Sequence, residues 1–76
     1  MRNVRGDILD YLCAHSLAAE TAKGINCVWL GRSADPQTIR EVELVLEELV
    51  RDNLIEKHGL PGGMAVYRRH HRGSVP

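Results

Sequence analysis

The chain contains no phenylalanine, and its aromatics amount to 4% of the sequence: Tyr11, Trp29 and Tyr67. Its core must therefore be aliphatic, arranged around Trp29. Only two cysteines occur, Cys13 and Cys27, and they form no CxxC pair and have no further ligand at zinc spacing. Both read as small buried hydrophobes, and neither a disulfide framework nor a metal knuckle is expected. No apolar run approaches the roughly 18 residues that a membrane helix needs. MRNVRGDILDYL holds no signal-peptide core before its charges resume, so a soluble, cytoplasmic protein without a membrane partner is expected.

Net charge is also lacking, because ten bases stand against ten acids. A domain built to grip nucleic acid is expected to be basic. The balance is uneven along the chain: residues 57–76 carry four bases (Lys57, Arg68, Arg69, Arg72) and no acid. The body is therefore acidic and the C-terminal end basic. Nucleophile–base spacings, glycine-rich phosphate loops and paired-carboxylate patterns are missing too, and 76 residues enclose little of a pocket. An enzyme is not expected, and no cofactor or metal is implied. His70 and His71, with His58, are too weakly arranged to chelate, and His15 reads as structural.

What is present is helical periodicity. Hydrophobic residues make up 43% and charged residues 26%, enough for one small globular domain. Val4, Ile8, Leu9, Leu12 and His15 recur at helical spacing, which predicts a first helix over about 4–15 capped by Asn3. A second helix is predicted from Ala19 or Thr21 to Leu30, closed by Gly31. Gly24 inside it suggests another helix packed closely at that point. Asp35–Pro36 is a strong helix start, so a third helix runs from about Pro36 to Asp52. Its apolar stripe is Ile39, Val42, Val45, Leu46 and Leu49, and Asn53 supplies the left-handed stop. LIEKH and MAVYRR then read as strands joined by GLPGG, a β-hairpin. Residues 1–69 form one domain, and residues 70–76 read as a frayed tail.

Three helices followed by a hairpin resemble the winged helix-turn-helix superfamily. VELVLEELVRDNLIEK (42–57) is similar to that family's third helix running into its first wing strand. Leu46, Leu49, Leu54 and Ile55 match, and Asn53 replaces the usual glycine. TAKGINCVWLG (21–31) resembles the preceding helix with its terminal Leu-Gly, and Tyr67-Arg68 the end of the wing. The resemblance implies an α+β, mainly α fold of three helices and a two-stranded wing. The segment between Leu30 and Val42 is longer than the family's usual turn.

The resemblance also implies a DNA-binding transcriptional regulator. Gln37, Thr38 and Arg40 would approach base edges, Arg32 and Ser33 would hold phosphates, and Lys57, Arg68 and Arg69 would brace the wing on the backbone. Yet the face opposite the apolar stripe carries Glu41, Glu47 and Glu48 around Leu44, and the wing tip is uncharged. The alternative is a protein-interaction or oligomerisation module. It would use Leu44 with Leu60 and Pro61, or a second copy's Leu44, flanked by Glu41 and Glu48. Double-stranded DNA stays slightly ahead of a protein partner or homodimer, on the family's habits alone.

Overall fold

A computed structural model describes residues 3–70. Helix α1 spans Val4–Ala14. Asn3 caps it as expected, its Oδ1 accepting from the Arg5 and Gly6 amides at 2.9 and 3.3 Å. Strand β1, Ala19–Glu20, follows a short turn. Helix α2, Ala22–Gly24, starts with the Thr21 hydroxyl accepting from the Gly24 amide at 3.1 Å. It passes directly into a π-helical turn, Ile25–Trp29, in which the Leu30 amide reaches the Ile25 carbonyl at 3.0 Å. Gly31 ends the turn with a φ of +63°, where glycine avoids the Cβ clash.

Helix α3, Pro36–Arg51, begins as its sequence predicts, with an Asp35 carboxylate oxygen accepting from the Gln37 amide at 2.8 Å. At its other end Asn53 takes a φ of +62°. The Leu54 amide returns to Leu49 and the Asn53 amide to Val50, which satisfies two of the last carbonyls of the helix. Strands β2 (Ile55–Gly59) and β3 (Ala65–Arg69) pair antiparallel, with Glu56 opposite Arg68 and Lys57 opposite Tyr67. β1 adds to the far side of β3, so the sheet order is β1-β3-β2.

The sheet therefore has three strands, where the sequence reading expected a two-stranded hairpin wing. A two-residue strand has no alternation to detect, and β1 is defined only by its pairing with β3. It also displaces the start of α2, so Ala19 is a strand residue and Thr21 the cap. Gly24 is not met by a helix. A Cβ there would collide with the Glu20 side chain, which folds back over α2.

Ile8, Leu12, Ile25, Val42, Leu46, Leu49, Ile55 and Tyr67 form the buried core. It is aliphatic, as the absence of phenylalanine requires. Trp29 is not at its centre: it lies half-buried at the edge, stacked on Tyr11 with ring centroids 4.5 Å apart. Cys13 is exposed and Cys27 half-buried, both as free thiols, because neither lies on its helix's inner face. No helix among the described residues is long and apolar enough to cross a membrane. His71 and Arg72, with the rest of 71–76, lie outside the described residues. His70 extends the ladder, its amide donating to the Leu54 carbonyl at 3.3 Å.

Candidate interaction surface

Amphipathicity orients α3. With Val42, Leu46 and Leu49 fully buried, the opposite face points away from the core and presents Gln37, Arg40, Leu44 and Glu48. Leu44 is 54% exposed. It forms a ridge between two depressions. One, of about 600 Å³, lies between α3 and the hairpin and is lined by Ile39, Leu44 and Met64, with Arg40, Glu47 and Lys57 on its polar side. The other is a shallow hollow beside Pro36, Gln37 and Glu41. Leu60 is exposed in the hairpin loop and lines neither depression. Met64, exposed at the end of the same loop, lines the first depression with Leu44.

The start of α3 is held from beneath by a residue the sequence reading passed over. Asn26 is fully buried on the π turn. Its Nδ2 donates to the Ser33 carbonyl at 2.9 Å and approaches the Thr38 hydroxyl at 3.4 Å. Thr38 Oγ1 lies 3.0 Å from the Ser33 carbonyl and 2.9 Å from that of Asp35, both within donating distance. Thr38 and the Ser33 carbonyl thus serve to fix the 31–35 loop. An asparagine inside an otherwise apolar helical stretch was the available signal.

Most cations of the DNA reading are engaged within the molecule. Arg32 Nη2 is ion-paired to Glu41, and Arg32 Nη1 is buried without a partner among the described residues. Lys57 Nζ lies 3.5 Å from Glu47 and 6.0 Å from the centre of the Tyr67 ring. Arg68 Nε is 3.3 Å from Glu56, its cross-strand neighbour. The same Glu56 carboxylate also meets His58 at 3.0 Å and His70 at 3.4 Å. Arg69 is exposed, and no carboxylate among the described residues pairs with it. Arg40 is the loosest of the set, with a side chain 71% exposed and Glu43 at 3.9 Å.

The carboxylates of α3 are correspondingly matched. Arg5 reaches from the first turn of α1 to Glu48 at 3.3 Å and Asp52 at 3.0 Å. Glu41 and Glu48, expected to flank an apolar patch, each carry a guanidinium supplied by another element. Burial pushes the Tyr67 phenol above its ordinary pKa of 10.0; Lys57 opposes that shift, and Glu47 and Glu43 reinforce it. The chain matches no known protein family, no curated protein and no solved structure.

Proposed function

We propose that this domain is a non-catalytic protein-interaction module working through the outer face of α3 beside the hairpin. Internal ion pairing of its cations carries this reading. Arg32 is paired to Glu41, Lys57 to Glu47 and Arg68 to Glu56, each on the surface that would have to meet a phosphate backbone. To grip DNA, each cation must leave its carboxylate or bring that negative charge up to the phosphates, and either choice offsets part of the electrostatic gain. Exposed Leu44 and Met64, set among charges that are largely paired with one another, suit a protein contact.

The order α1-β1-α2-α3-β2-β3, with β1 beside β3, supports treating the domain as a winged helix-turn-helix variant turned to this use. The regulator reading retains one specific support: Gln37, Arg40 and Arg69 are exposed where a groove and its backbone would lie. An amide NMR titration with mixed-sequence duplex DNA at low salt separates the two. The interaction reading expects no clustered shifts. Salt-sensitive shifts across residues 32–41, at Lys57 and around Arg68 would overturn it in favour of DNA binding.

A further inference from the structure

We infer that the partner of the α3 face is a second copy of this chain, seated antiparallel about a two-fold axis at Leu44. This rests on the protein-interaction reading and names its partner. At 100° per residue, Arg40 and Glu47 lie about 40° and 60° to one side of Leu44, and Glu48 and Glu41 about 40° and 60° to the other. A two-fold axis through Leu44, relating antiparallel helices, keeps each side against its own copy and reverses height along the helix. Arg40, four residues before Leu44, then meets Glu47 of the partner subunit, three residues after it. The pairing occurs twice, around a central contact between the two leucines.

Arg40 is loosely held in the monomer, by Glu43 at 3.9 Å, and the Lys57 pair, at 3.5 Å, engages only Oε2 of Glu47. On the other side Glu41 would approach the partner subunit's Glu48. That like-charge pair is already neutralised from within, Glu41 by Arg32 and Glu48 by Arg5. A parallel pair would set Arg40 against the partner subunit's Glu41 and Glu47 against the partner subunit's Glu48, an equal count of opposite and like charges. What separates the two arrangements is that the parallel one aligns the helix dipoles and the antiparallel one opposes them. One helix face from each copy makes a small contact, below the roughly 1,200 Å² of standard interfaces, so the dimer is weak and concentration-dependent.

Sedimentation velocity on the full chain, from about 20 µM to about 1 mM, reads this directly. The wild type is expected to pass from monomer to dimer over that range. Arg40→Glu and Glu47→Arg are each expected to weaken self-association by about tenfold or more, since each places like charges opposite one another twice. An equimolar mixture of the two variants restores opposite charges at both contacts and is expected to dimerise as the wild type does. Far-UV circular dichroism checks that these exposed substitutions leave the fold intact. A wild type that stays monomeric, or a mixture that behaves as the sum of two monomers, overturns the inference. Such a monomer, silent in the DNA titration, removes only the second copy as partner; DNA-induced shifts across residues 32–41 would remove the interaction reading itself.

Discussion

Asn26 is the position where one atom should decide the stability of the whole α3 entrance. Its side chain is fully buried, Nδ2 donates to the Ser33 carbonyl at 2.9 Å, and Oδ1 has no partner among the described residues. Asn26→Ala removes one donor while the Thr38 hydroxyl remains beside the Ser33 carbonyl, so it should cost about 1 kcal/mol for the bond and about 1 kcal/mol for the void. Asn26→Asp keeps the shape but turns the donor into an acceptor facing a carbonyl, with a charge in a fully buried site. Its cost should be larger, about 3–5 kcal/mol at pH 7. That is a large part of the roughly 4–11 kcal/mol available to a domain of this length. The introduced carboxyl is held above its ordinary pKa by burial, so its penalty is present at neutral pH and fades as pH falls. Protonated, it can donate to Ser33 again, and the gap to wild type should narrow between pH 7 and about pH 4. Urea unfolding of the three proteins, followed by Trp29 fluorescence, measures this. Asp and Ala variants of equal stability, or a gap that ignores pH, would refute the assignment of Nδ2 as an essential donor.

Two further perturbations test the frame around the site. Asn53→Gly should stabilise the domain by about 0.5 kcal/mol, since glycine takes the left-handed stop of α3 with less strain but loses more chain entropy; a lower melting temperature would show that the asparagine side chain itself holds the α3–β2 junction. The raised Tyr67 pKa adds stability that is fully present below pH 10 and is lost as pH climbs through the folded-state value. Thermal melts should therefore fall above about pH 10 in the wild type and fall less in Tyr67→Phe; parallel alkaline limbs in the two proteins would sink that account.

Local chemistry was legible in the sequence, and long-range pairing was not. Asn3, Asp35–Pro36, Gly31 and Asn53 each announce a helix end through a side-chain acceptor or a tolerated positive φ, and the fold uses all four. The α3 stripe predicted Val42, Leu46 and Leu49 as core because periodicity depends only on neighbours a turn away. β1 was invisible because two residues carry no period, and its identity comes from Arg68 and Tyr67 far along the chain. Met64 could not be placed beside Leu44 in one depression without the path of the hairpin. Asn26 could not be singled out because its partners, the Ser33 carbonyl and Thr38, lie beyond the helix and are met only in the folded loop.

The charges of α3 show how far that missing information changes a functional reading. Along the sequence, Glu41, Glu47 and Glu48 form an acidic face that should repel a phosphate backbone. In the fold each meets a cation brought by a different element: Arg32 from the loop, Lys57 from β2 and Arg5 from α1. The repulsion is therefore smaller than the helix alone suggests. The attraction shrinks with it, because Arg32 and Lys57 are among the cations the DNA reading needs. Exposed pairs of this kind contribute little to stability, about 0–1 kcal/mol each, so their larger effect is on what the surface can bind. With acids and bases cancelled against each other, the remaining bias of the face lies in Leu44, Met64 and the loosely held Arg40.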